Sequence, residues 1–307
     1  MTQYAFLFPG QGSQFPGMGK SLAEQFPSAR HIFEEADDVL GFGLSRLCFE
    51  GPEEDLKLTK NTQPALLAVS TAAYAVLREN GLVPQAVAGH SLGEYSALVA
   101  AGALSFADAL RLVRNRGRYM QEAVPAGTGA MAALLYMPRE KLDAVLMEAA
   151  QGEIVAAANF NSPEQLVIAG HTQAVMRAMD LAKIAGAKRA KLLNVSAPFH
   201  CPLMQPAQTR LAPELEATAF SNITIPLINN WRAGKITIAA DARRGLFEQI
   251  PSPVLWQSTM QLFRSEGIQH FIEVGPGTVL AGLVRKNLPD AICLPFGEPT
   301  HLAGLAV

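Results

Sequence analysis

The chain has 307 residues, 49% of them hydrophobic and 17% charged, with a formal net charge of -2. That length allows one large or two ordinary domains, and the charge balance lacks the basic excess expected of a nucleic-acid-binding protein. No apolar run approaches the roughly 18 residues needed to span a bilayer. The first residues pass into an apolar stretch with no basic region before it, so the reading is a cytoplasmic protein with no membrane span and no signal peptide.

Tyr4 to Phe8 is a short apolar run ended by Pro9-Gly10-Gln11-Gly12-Ser13-Gln14, which predicts a buried first strand and a glycine-rich loop. The loop fits neither common phosphate-binding pattern. A dinucleotide fingerprint needs a glycine where Phe15 stands, and a Walker A loop ending in Gly19-Lys20-Ser21 needs one where Gln14 stands. Its backbone N–H groups are therefore expected to serve something other than a nucleotide phosphate. Ser28 to Leu40 and Thr62 to Asn80 carry helical patterning, the second stopped by Gly81 and Pro84.

Next comes Gly89-His90-Ser91-Leu92-Gly93, where the apolar run from Gln85 gives way to helix-forming residues from Glu94 to Ala101. In that context G-x-S-x-G reads as a nucleophile elbow, a sharp strand-to-helix turn whose glycines leave room for a strained backbone. The turn also sets Ser91 at a helix N-terminus, which favours developing negative charge. Ser105 caps a further helix carrying Arg111, Arg114, Arg116 and Arg118, a pattern that is usually a solvated face.

Strand-like runs at Gly129 to Leu135, Ile154 to Phe160, Gln165 to Ala169 and Ala187 to Leu193 alternate with helical runs at Pro138 to Ala150 and Thr172 to Ala185, with a turn at Asn161-Ser162-Pro163. The order β-α-β-β-α-β is the ferredoxin-like motif. Strand-helix alternation suited to a parallel sheet flanks it on both sides, so it is expected to be an insert. The predicted architecture is α/β: a hydrolase-like core of residues 1–126 and 196–307 with a mostly parallel sheet, and a ferredoxin-like subdomain of residues 127–195. Past the insert, helices are expected at Leu203 to Ala217, Ala239 to Gln249 and Val254 to Glu266. Ile268 to Val274 is expected to close the sheet before a last helix ending near Lys286.

A neutral hydroxyl is a poor nucleophile, so Ser91 needs a base. Among six histidines, His90 is adjacent, but neighbours in a tight turn point in different directions, and it is expected to line the pocket instead. His200 follows the serine in the chain and sits in a proline-flanked loop suited to the role. The acidic residues between the two fall on predicted helices or within the insert. The expected arrangement is therefore a dyad in which a carbonyl or amide orients His200. Cys48, Cys201 and Cys293 stand far apart with no C-x-x-C pair, which predicts neither a disulfide framework nor a metal site.

Phe8-Pro9-Gly10-Gln11-Gly12-Ser13-Gln14, Thr62-Gln63-Pro64-Ala65, Gly89 to Tyr95, Arg114-Asn115-Arg116-Gly117, Asn159 to Pro163, Phe199-His200 and Glu273 to Gly277 together resemble the malonyl-CoA:acyl carrier protein transacylases of bacterial fatty-acid synthesis. The resemblance spans essentially the whole chain. It implies that Ser91 carries malonyl as an ester, that His200 is general base and then general acid, and that the N–H groups of Gln11 and Leu92 form an oxyanion hole. It further implies that Arg116 holds the malonyl carboxylate, that the main-chain carbonyl of Gln249 orients His200, and that His90, Gln63 and Asn161 line the pocket. On the same basis the other three arginines of that helix are read as surface residues. Malonyl-CoA is then a substrate, no cofactor is required, and the partner is an acidic acyl carrier protein met by a monomer through Lys188, Arg189, Lys191, Arg285 and Lys286. Phe199 resembles the malonyl-preferring polyketide versions, so the alternative is a free-standing acyltransferase serving a polyketide synthase. A serine hydrolase is the rival chemistry, and a buried Arg116 argues against it.

Overall fold

The structure is a computed structural model that describes residues 3–125 and 127–305. Met1 and Thr2, where a leader was sought, and Ala126, the expected end of the first core segment, lie outside the described residues. The strands in chain order are β1 (Ala5–Phe8), β2 (Ala86–Gly89), β3 (Gly129–Leu135), β4 (Val155–Ser162), β5 (Gln165–His171), β6 (Arg189–Leu192), β7 (Leu227–Ile228), β8 (Lys235–Ile236), β9 (His270–Val274) and β10 (Ile292–Phe296).

The larger sheet runs β10-β9-β1-β2-β7-β8, parallel throughout except for β8. Its central strands are buried on both faces, which is why they read as continuous apolar runs rather than alternating ones. The two-residue period still sorts their side chains: Phe6, Phe8, Val87 and Ile272 join the main core, whereas Ala5, Leu7, Ala88 and Phe271 pack with Trp256 and Phe263 on the opposite face.

The smaller sheet is antiparallel in the order β4-β5-β3-β6, the ferredoxin-like arrangement expected of the insert. Ala132, Leu134, Leu166 and Ile168 face the helices Leu142–Ala150 and Thr172–Ala185. Met131, Ala133, Val167 and Ala169 point the other way and join the main core. One face of the small sheet thus forms a wall over the large one. The small sheet is also tied to the segment before the helix Trp256–Ser265 by the N–H of Val254 donating to the carbonyl of Ala158 (2.9 Å) and that of Phe160 donating to the carbonyl of Val254 (2.9 Å).

Three sequence expectations need correction. Ile268 to Val274 does not close the sheet, because β10 pairs with β9 outside it. Pro295 is tolerated in this strand because on an edge a missing N–H costs no ladder bond. The turn expected at Asn161-Ser162-Pro163 falls later, at Pro163-Glu164: β4 continues through Ser162 with register shifts that absorb the irregularity, so Asn161 stands on a strand. Arg114 is not a surface residue. It is half-buried and donates to the carbonyl of Lys60 (2.7 Å) and the side chain of Asn61, tying its helix to the helix Thr59–Glu79, while Arg111 and Arg118 are exposed as read.

Candidate active site

β2 ends at Gly89 and the next helix is Gly93–Ala100, so Ser91 stands in the turn between them with φ of 51°, a left-handed conformation that costs a serine energy. The flanking glycines are required by space. A Cβ on Gly89 would lie 1.9 Å from the carbonyl carbon of Gly93, and one on Gly93 would lie 2.0 Å from the carbonyl oxygen of Phe8. Asn230 clamps the turn: its Oδ1 accepts the Ser91 N–H (2.6 Å) and its Nδ2 donates to the Gly89 carbonyl (2.6 Å). These contacts hold the strained serine in place.

Ser91 Oγ lies 2.6 Å from His200 Nε2, and His200 Nδ1 lies 3.0 Å from the carbonyl oxygen of Gln249. A carbonyl can only accept, so Nδ1 carries the proton and Nε2 presents its lone pair to the serine. That carbonyl belongs to the last turn of the helix Ala239–Gln249, where carbonyls lack an intrahelical partner. Burial, reinforced by the Arg116 charge, lowers the His200 pKa to about 3, so the imidazole is neutral at any working pH. His90 does not reach Ser91. Its Nε2 pairs with Asn161 Oδ1 (2.9 Å), its ring packs on Trp256, and burial lowers its pKa.

Arg116 is 2% exposed and directs its guanidinium at Ser91. One terminal nitrogen donates to Gln63 Oε1 (2.6 Å), and the other to Gln249 Oε1 (2.8 Å) and Ser91 Oγ (3.2 Å). All three acceptors are neutral, and among the described residues Arg116 forms no salt bridge. Beside it opens a cavity of about 230 Å³, lined by Gln11, His90, Leu92, Asn161 and Phe199 as well as the serine and histidine. The Gln11 side chain is drawn back to Thr59 Oγ1 (3.3 Å). Among the described residues neither the Gln11 nor the Leu92 N–H has an acceptor, which leaves two donors at the cavity. A nucleophile, a neutral base, spare N–H donors and a buried cation are the parts needed to transfer an acyl group that bears a carboxylate.

Residues 5–295 match the acyl transferase domain family. The chain belongs to this family. It is similar to the malonyl CoA-acyl carrier protein transacylase of Bacillus subtilis (strain 168), 52% identical over 287 residues that take in 93% of this chain and 90% of the relative. It is also similar to the solved structure of an acyl carrier protein S-malonyltransferase from Vibrio cholerae, 45% identical with a TM-score of 0.97 and covering 99% of this chain and 100% of that one. A third likeness, 46% identical with a TM-score of 0.96 over 98% of each chain, is to a malonyl-transacylase solved in complex with its type II PKS acyl-carrier protein. The resemblance read from the motifs is thereby borne out.

Sequence reasoning missed two residues of this acyltransferase site, Asn230 and Glu94. Glu94 is fully buried, and its Oε2 accepts from the N–H of Asn230 (2.9 Å) and from Gln249 Nε2 (2.8 Å). The only signal was its position directly after the elbow, where a charged side chain facing inward breaks the apolar pattern. Gln249 also does more than its carbonyl alone would, since its side chain joins Glu94 to Arg116.

The five basic residues read as a docking patch are all exposed. Lys286 Nζ lies 3.8 Å from Glu164, the Glu164 carbonyl accepts the Tyr136 N–H (2.7 Å), and Lys188 Nζ sits 4.3 Å from the Tyr136 ring, so Lys188 and Lys286 share one rim. Arg189 and Lys191 pair with Leu135 and Ala133 on β3, and Ala133 faces the main core, so both lie on the same face of the small sheet as the cavity wall. Arg285 lies beside Lys286 in the last turn of the helix Val279–Asn287.

Proposed function

We propose that this protein moves a malonyl group from malonyl-CoA to the phosphopantetheine thiol of an acidic acyl carrier protein, through an ester on Ser91, and so supplies fatty-acid synthesis. The observation that carries this reading is the Arg116 guanidinium, buried and 3.2 Å from the nucleophilic oxygen. A serine hydrolase for uncharged acyl chains has no use for such a cation, whereas a carboxylate entering a mostly apolar cavity calls for one.

In the first half-reaction Ser91 Oγ attacks the thioester carbonyl carbon while His200 Nε2 takes the hydroxyl proton. The Gln11 and Leu92 N–H groups receive the oxyanion. Collapse breaks the carbon–sulfur bond, and His200 returns its proton to the departing CoA sulfur. In the second half-reaction His200 takes a proton from the carrier thiol, the thiolate attacks the ester carbon, and Ser91 leaves with the proton handed back. The positive imidazolium formed in each half is favoured by the Gln249 carbonyl at a helix C-terminus. Before the carboxylate enters, Gln63 and Gln249 hold the guanidinium in plane, and His90 and Asn161 close the wall beside it.

The reaction calls on no metal or cofactor. Residues 1–126 and 196–307 serve as the catalytic core and residues 127–195 as the lobe that walls the acyl site, and the basic rim at Lys188, Arg189, Lys191, Arg285 and Lys286 receives the carrier. The protein acts in the cytoplasm as a monomer. A second reading, service to a polyketide carrier, is favoured by the likeness to the transacylase solved with such a carrier. Incubation with malonyl-CoA should add one malonyl mass to the peptide containing Ser91, and subsequent addition of fatty-acid carrier protein should discharge it onto the carrier thiol. Discharge to water at the same rate with and without carrier would make the protein a hydrolase.

A further inference from the structure

The proposed chemistry uses Ser91, His200 and Arg116 but assigns nothing to the carboxyl group buried behind them. Glu94 is 0% exposed, in the first turn of the helix that follows the nucleophile. A buried carboxyl group is costly unless its oxygens are bonded, yet only one of the two is: Oε2 accepts twice, whereas Oε1 has no partner among the described residues. Its two donors lead to different parts of the site. Gln249 Nε2 bonds Glu94 and also the Ser91 carbonyl (3.1 Å), which turns the amide so that Oε1 meets Arg116. The N–H of Asn230 bonds the same carboxylate oxygen, which sets the residue whose side chain clamps the turn on both sides of Ser91. The amide of Gln249 can present its oxygen to Arg116 only while its nitrogen has acceptors on the other side, and Glu94 is one of these.

We infer that Glu94 is a positioning residue of the acyl site: through the reach of one carboxylate oxygen to Gln249 and Asn230 it fixes the orientation of Arg116 and the placement of Ser91. It touches no substrate atom. The action lies in the reach of that oxygen and not in the charge, because an amide oxygen in the same place accepts the same two hydrogen bonds. This inference rests on the reading that Arg116 receives the substrate carboxylate.

Two variants separate reach from charge, and both keep a polar side chain in the buried site so that the fold survives. Glu94→Asp keeps the charge but withdraws the oxygen by one methylene, so it cannot serve both donors. Glu94→Gln keeps the reach and removes the charge. Acyl-enzyme formation from malonyl-CoA and from acetyl-CoA is measured on each by mass increase at Ser91, with Arg116→Ala as control. Glu94→Asp should lower the malonyl-to-acetyl ratio of kcat/KM by about tenfold, the worth of one buried hydrogen bond, as Arg116 loses its alignment. Glu94→Gln should retain the wild-type ratio to within about threefold. A wild-type ratio in Glu94→Asp, or a loss in Glu94→Gln as large as in Glu94→Asp, overturns the inference. If Arg116→Ala itself fails to separate malonyl from acetyl, the reading of Arg116 is what fails, and the inference falls with it.

Discussion

Replacing Arg116 by alanine tests the proposed specificity most directly, and its magnitude can be worked from the site. A carboxylate paired edge-on with the guanidinium makes two charge-assisted hydrogen bonds, each worth about 1.5–3 kcal/mol. To accept it the guanidinium gives up neutral bonds to Gln63 and Gln249, at about 1 kcal/mol each. The balance is about 1–4 kcal/mol, so malonyl transfer should fall by roughly 5- to 1,000-fold in kcat/KM. Acetyl transfer should hold or improve, because acetyl leaves Arg116 unpaired and the charge that disfavours protonated His200 is gone. Stopped-time assays with malonyl-CoA and acetyl-CoA on one preparation separate specificity from damage to the fold, since the Gln63 and Gln249 oxygens stripped of their donor affect both substrates alike. Arg116→Lys should recover little, because an ammonium lacks the planar fork. Equal losses for the two acyl groups would refute the reasoning and move the reading of the carboxylate elsewhere.

Ser91→Ala should abolish the acyl-enzyme mass increase and leave the thermal transition near that of wild type. Persistent labelling would indict another nucleophile, although Cys201 is a poor one, buried with its pKa raised to about 11 and its thiol donating to the Pro198 carbonyl. Because His200 is lowered to about 3 from an ordinary value near 6.5, the base stays neutral as pH falls, and the acylation rate should show no acid limb between about pH 8 and 5. A limb near 6.5 in the pH–rate profile would mean that the imidazole is far more solvated than its burial indicates. Arg285→Glu with Lys286→Glu should raise the KM for carrier protein and weaken its salt dependence while leaving malonyl-enzyme formation from malonyl-CoA unchanged. Unchanged carrier kinetics would remove that rim from the docking surface.

What the sequence disclosed about the site followed from which groups leave a mark on it. The elbow was legible because a serine at positive φ between two close backbone approaches requires glycine on both sides, and glycines are visible. The orienting partner of His200 was legible only as an absence of suitable acids, since a main-chain carbonyl has no residue signature. Arg116 was singled out by resemblance, although the helix Phe106–Glu122 carries a physical signal for it. Ala109, Val113, Arg116 and Met120 fall on one buried stripe at helical spacing, whereas Arg111 and Arg118 fall off it. Asn230 and Glu94 stand 136 residues apart and meet only because β7 pairs with β2, so no local pattern announces them. The fold was legible wherever strands and helices alternate cleanly, and failed at β10, where a proline is tolerated by an edge.

Gln249 gives the site a coupling that no single contact supplies. Its carbonyl fixes the tautomer of His200 and its side chain fixes Arg116, so the base and the cation are set by one residue at the end of one helix. Without a carboxylate beside Arg116 the two oppose each other, because the guanidinium charge raises the cost of a proton on His200. On the proposed reading a malonyl carboxylate paired with Arg116 cancels that charge, and the imidazolium required during attack becomes cheaper at that moment. An acetyl group leaves the charge standing. The contact that selects the substrate therefore also readies the base, and discrimination appears in the chemical step as well as in binding.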